Sequence, residues 1–66
     1  MNFISKVILE IGVTKKYICE KADISRTYLY YIENDKRTPS VKTMKKLSLI
    51  LRTPVQELFF KDEEVK

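Results

Sequence analysis

A chain of 66 residues, 44% hydrophobic and 33% charged, is enough for one domain, and a domain that size buries only about 60% of the surface its unfolded form exposes. The lone Cys19 excludes an internal disulfide, and without His or a second Cys there is no zinc cluster, so neither metal nor cofactor is expected. The net charge is +4, and Lys6 and Glu10 interrupt the apolar start well short of a membrane span, so we expect a soluble cytoplasmic protein with no membrane partner.

The first apolar set, Phe3, Ile4, Val7, Ile8 and Ile11, has helical spacing. It predicts a helix from Phe3 to Ile11 with Asn2 as its cap and Gly12 as its stop. Thr14 can cap a second helix, Lys15 to Ala22, which turns Ile18, Cys19 and Ala22 inward. Asp23 and Ile24 form the turn, with Asp23 where the backbone needs a left-handed residue. Ser25 then caps a third helix, Arg26 to about Asn34, that gives Leu29 and Ile32 to the core and points Arg26, Thr27, Tyr30 and Tyr31 elsewhere. The run Tyr28 to Ile32 lacks the period-two alternation of a strand.

After the basic loop Asp35-Lys36-Arg37-Thr38-Pro39, Ser40 caps a fourth helix to Leu51 with Val41, Met44, Leu47, Ser48 and Leu51 on one stripe. Arg52 ends it. Thr53 and Pro54 read as cap and first-turn residue of a last short helix through about Phe60. The expected architecture is all-α: a compact five-helix domain over residues 1–60, followed by a short charged tail at 61–66.

The charge is unevenly spread. Nine Lys and Arg against four acidic residues lie between Thr14 and Lys46, whereas the last fourteen residues sum to −2. A basic middle suits a polyanion, although such charge on a helical protein is as often a solvated face. Residue type decides further. Two short helices joined by a tight turn are the arrangement in which one helix braces another in the DNA major groove. The exposed first turn of the second is Arg-Thr: Arg26 can fork onto guanine O6 and N7, Thr27 can meet a thymine methyl, and the amides opening that helix can meet a phosphate.

Here the chain resembles the Cro and lambda-type repressor (Xre-like) helix-turn-helix regulators. Val13 to Leu29 looks like that family's paired helices. The segment Tyr31-Ile32-Glu33-Asn34-Asp35-Lys36-Arg37-Thr38-Pro39-Ser40 resembles its specific "R-I-E-N-G-K-R-x-P-S" hallmark, and Glu57-Leu58-Phe59 its weaker closing "E-L-F". The resemblance implies a lambda-repressor-like fold with the helix-turn-helix at about residues 14–34. It implies base contacts from Arg26, Thr27, Tyr30 and Tyr31, and phosphate contacts from Thr14, Lys15, Ser25, Asn34, Lys36 and Thr38. It also implies a homodimer formed through the last helix, near Val55, Leu58, Phe59 and Phe60.

Several positions depart from the family pattern. Lys15 replaces a glutamine, Ile8 an arginine that pairs with the hallmark glutamate, Cys19 an alanine, and Asp23 and Asp35 glycines. By sequence, Glu33 has no obvious intramolecular partner, and what satisfies it stays open. Cys19 reads as a small buried hydrophobe rather than a redox sensor. Tyr28 fits either the core rim or a base, while Lys42, Lys45 and Lys46 read as a solvated face. Leu9 and Leu49 lie nearly opposite the stripes of their helices and, with Val55, Phe59 and Phe60, nominate a self-association surface.

The sequence therefore points to a homodimeric regulator of transcription, most simply a repressor, that binds a pseudo-palindromic DNA operator in the major groove. The alternative is a protein-interaction module of the same fold, an antitoxin-like partner in which DNA binding is secondary. A membrane-surface role for Val41 to Arg52 would need an apolar stripe the core already uses. Without His, a paired nucleophile and base, or a phosphate-cradling glycine loop, no enzyme is expected.

Overall fold

The computed structural model describes residues 2–60. The expected tail at 61–66 lies outside the described residues. Five helices follow in order: α1 (Ile4–Ile11), α2 (Lys15–Ala22), α3 (Arg26–Glu33), α4 (Val41–Leu51) and α5 (Val55–Phe59), with no strand among the described residues.

Their boundaries follow from local chemistry. The hydroxyls of Thr14, Ser25 and Ser40 accept from the amides of Tyr17, Tyr28 and Thr43 at 3.0, 3.0 and 3.2 Å, so three helices begin on side-chain caps that replace missing intrahelical acceptors. Gly12 and Asp23 both end their helices in the left-handed conformation, at φ 84° and 59°. Two starts differ from expectation. Asn2 does serve α1, its Oδ1 accepting from the Ile4 amide at 3.0 Å, but Phe3 occupies the cap position and the helix opens one residue late. In α5, Pro54 stands at the cap and Val55 opens the helix; the Thr53 hydroxyl accepts from no α5 amide and donates to the Leu51 carbonyl at 2.9 Å.

Each helix gives its apolar stripe to one core. Ile4, Val7 and Ile8 come from α1, Ile18, Cys19 and Ala22 from α2, Leu29 and Ile32 from α3, Leu47 and Leu51 from α4, and Leu58 from α5. The larger of these stabilise the fold by about 1.5–3 kcal/mol each relative to exposure. α4 is the central element, packing against α2, α5 and α1, while α2 packs against α3. Val41 departs from the expected stripe and is 68% exposed, since it opens α4 one turn beyond the reach of the core that Leu47 and Leu51 fill.

Among the described residues three that are not glycine adopt positive φ: Asp23, Asp35 and Arg52. Asp tolerates this region through its short polar side chain, but Arg52 ends α4 at φ 53° and ψ 38° with a long side chain and no such compensation. We expect Arg52→Gly to raise stability by about 0.5–1 kcal/mol, because relief of left-handed strain outweighs the extra freedom glycine gives the unfolded chain. For a domain this small that is a rise of about 2–8 °C in thermal midpoint by circular dichroism. An unchanged or lower midpoint would show that the turn is not strained.

Candidate nucleic-acid interface

The turn Asp23-Ile24 sets α3 across α2. Asp23 is left-handed, the Ile24 amide reaches back to the Cys19 carbonyl at 3.0 Å, and Ser25 restarts the chain as a cap. Leu29 and Ile32 fasten α3 to the core with no exposure at all, which fixes the helix rotation. As a consequence Arg26, Thr27, Tyr30 and Tyr31 face outward together. They line one open groove of about 410 Å³ with Lys15 and Glu33. The Tyr30 and Tyr31 rings are a tilted pair with centroids 5.9 Å apart.

Glu33 is the electrostatic problem of such a surface, because a bare carboxylate would repel a polyanion. It is solved by two residues far away in sequence. Lys15 Nζ lies 3.2 Å from Glu33 Oε1, and the Ser5 hydroxyl donates to the same oxygen at 2.6 Å, leaving the Glu33 side chain only 6% exposed. The partners of Glu33 that the sequence left open are thus Lys15 and Ser5. Ile8, at the position the family gives to an arginine, goes into the core, and the lysine in α2 carries the charge instead. The Lys15 side chain stays about half exposed, so one side chain ties α2 to α3 and presents positive charge at the rim of the groove.

The other expected contacts are distributed around this groove. Thr14 and Ser25 use a lone pair each as caps, which leaves both hydroxyl hydrogens available to an external oxygen. Asn34 spends an amide hydrogen on the Tyr30 carbonyl at 2.8 Å, closing the end of α3. Lys36 is exposed in the loop that follows, its backbone amide held by the Tyr31 carbonyl at 2.8 Å. Thr38 is not brought to the groove. With Asp35, Arg37 and Pro39 it lines a second concavity, of about 250 Å³, against Asn2, Phe59 and Phe60. Tyr28 packs against the core, and the Arg37 guanidinium lies 5.9 Å from its ring centroid, which sides with the core rim.

Asn2 also has a role the sequence reading missed. Its amide nitrogen donates to the Ile32 carbonyl at 2.7 Å and to Asp35 Oδ1 at 2.9 Å, while its oxygen holds the Ile4 amide. One side chain thus fastens the start of α1 to the end of α3 and to the basic loop. No local signal marks this, since the partners are 30 and 33 residues away. Cys19 is buried, and burial pushes its thiol up from the ordinary value. The Arg26 guanidinium opposes that shift and the Glu33 carboxylate adds to it, so the group stays a protonated packing element.

The expected self-association residues do not form one surface. Leu58 is wholly buried in the core and has no area to offer a second copy, and Phe59 packs against that core. Phe60 is 49% exposed and joins Thr38 and Pro39, whereas Leu49 shares a different concavity with Tyr17. Among the described residues no helix is long and apolar enough to cross a membrane, and no cluster of three or more His, Cys, Asp or Glu could hold a metal ion.

No curated protein matches the chain. The helix-turn-helix family model HTH_3 matches residues 4–58, from the opening of α1 to the core leucine of α5. That span contains the capped pair α2 and α3, the outward groove and the five-helix, lambda-repressor-like arrangement. The chain belongs to the Xre and Cro type of helix-turn-helix family and is a DNA-binding regulator.

Proposed function

We propose that this protein is a cytoplasmic repressor that binds a pseudo-palindromic operator as a homodimer, each copy laying α3 in the major groove. The observation that carries the reading is the convergence of Arg26, Thr27, Tyr30 and Tyr31 with Lys15 in one open groove whose carboxylate, Glu33, is already paired with Lys15. Arg26, Thr27, Tyr30 and Tyr31 read bases. Lys15, Lys36 and the outward hydroxyls of Thr14 and Ser25 hold phosphates, joined by Asn34 and Thr38 at the end of α3 and in its loop.

Dimerisation is supported by the second concavity, where the exposed Phe60 sits beside the loop that follows α3. A contact there sets the separation of two recognition helices, which on successive major grooves is about 34 Å. Val55 and Phe59 flank it, with Leu58 acting from beneath as core support. Output is by occupancy: a dimer seated on a promoter excludes other proteins.

Selection of bound sequences from a random duplex pool is expected to yield two inverted half-sites spaced by about one helical turn. In titrations on the selected duplex and on random DNA, Lys36→Ala is expected to weaken both alike and to flatten the salt dependence by about one charge. Absence of any enriched sequence, together with salt-independent binding, would overturn the reading.

A further inference from the structure

We infer that the face shared by α2 and α4, around Tyr17, Lys21, Lys46, Leu49 and Ile50, is a docking site for a protein segment that presents an apolar side chain flanked by carboxylates. These five residues line an open concavity of about 370 Å³ and share no residue with the groove of α3. Leu49 is 80% exposed, Tyr17 is exposed, and Ile50 is half-buried at the edge of the core. One exposed leucine on a helix is ordinary, but three apolar side chains from two helices that meet in one depression form a seat.

The charges around that seat select its occupant. Lys21 and Lys46 bracket it, and among the described residues neither is in an ion pair. The Lys21 ammonium lies 5.7 Å from the Tyr17 ring centroid, and Lys46 leans on the Ala22 carbonyl at 3.5 Å, so both heads are held beside the apolar floor. Among the described residues no acidic side chain lines the concavity, and Glu20 and Asp23 of the same helix and its end lie outside it. A second copy packed about a two-fold axis would set this face against itself and bring lysine to lysine with no carboxylate among the described lining residues to relieve them. DNA phosphates would satisfy the lysines and leave Leu49 and Ile50 without contact. Only an acidic segment with an apolar anchor answers both features.

The site is positioned to act while α3 is on DNA. At about 100° per residue, Tyr17 lies about 200° around α2 from Lys15, the residue that ties that helix to α3. The inference goes beyond the DNA-binding reading and is independent of it. A partner seated here meets the regulator on a surface the duplex leaves open, in the small and transient class of interface.

The test is a random twelve-residue peptide library displayed and panned on the full chain. Enriched sequences are expected to combine Asp or Glu with Leu, Ile or Phe. A representative peptide is expected to bind at least tenfold more weakly to Leu49→Glu and to Lys21→Glu, both at exposed positions where the fold is retained. Exchanging an acidic residue of the peptide for lysine is expected to restore binding to Lys21→Glu. Affinity of both variants for duplex DNA is measured alongside and is expected to stay unchanged. The inference is overturned by an absence of enriched peptides, by enriched peptides without acidic residues, or by binding that survives Leu49→Glu. It is equally overturned if Lys21→Glu weakens DNA binding as much as peptide binding, or if Leu49→Glu dissociates a homodimer in sedimentation. The DNA-binding reading fails on a different observation, the loss of duplex binding by the unaltered chain.

Discussion

Arg26→Ala is expected to lower affinity for the selected duplex by about 1–3 kcal/mol per half-site while changing affinity for random DNA much less. The reason is geometric. Ser25 caps α3, Leu29 and Ile32 fix its rotation, and Arg26 therefore opens the helix at its exposed first turn with the guanidinium in the groove. A planar fork placed there can take two acceptors of one guanine edge, and an alanine leaves that edge unread, so discrimination at one base pair of each half-site collapses. Arg26→Lys is the informative control, because it preserves the charge and loses the fork. It is expected to keep most of the salt dependence and to lose most of the preference. Competition titrations against duplexes altered at single positions measure both quantities. If the two variants lost specific and random binding in equal proportion, Arg26 would be a phosphate contact and base reading would fall to Thr27, Tyr30 and Tyr31.

The second large effect separates core from interface in α5. Leu58→Ala is expected to cost about 2–5 kcal/mol, since the side chain is 0% exposed and its removal opens a cavity between α5 and the rest of the core. In a domain of this size that is a large part of the total stability, and the protein is expected to be mostly unfolded near 37 °C. The loss is independent of protein concentration because it belongs to one copy. Phe60→Ala is the counterpart. Phe60 is half exposed at the end of α5 beside Thr38 and Pro39, so its truncation is expected to leave the monomer's unfolding free energy within about 0.5 kcal/mol of the original and to weaken dimerisation. Chemical denaturation at two concentrations, paired with sedimentation equilibrium, distinguishes these outcomes. A concentration-dependent loss in Leu58→Ala would place that residue at the interface after all.

Much of the fold was legible because its signals are local. A cap hydroxyl binds an amide three residues away, and a helical stripe repeats within one turn, so Thr14, Ser25 and Ser40 marked three helix starts and Leu29 and Ile32 marked the inner side of α3. The outward set Arg26, Thr27, Tyr30 and Tyr31 follows from that same periodicity. The α5 start slipped by one residue because a Thr-Pro pair marks a helix start without fixing which of the two is the cap, and the Thr53 hydroxyl in fact meets no α5 amide.

What the sequence by itself determined about this protein is the helix order, the helix-turn-helix and which residues of α3 face outward, all of them set by interactions spanning about one helical turn. What only the tertiary structure decided is how that face is supported. Glu33 finds Lys15 and Ser5, Asn2 straps α1 to the end of α3, Leu58 belongs to the core, and Leu49 shares a concavity with Tyr17 and not with Phe60. Each of these depends on which helix faces come together across long stretches of chain, and a pattern with a period of 3.6 residues names the inward side of a helix without naming what it will meet there.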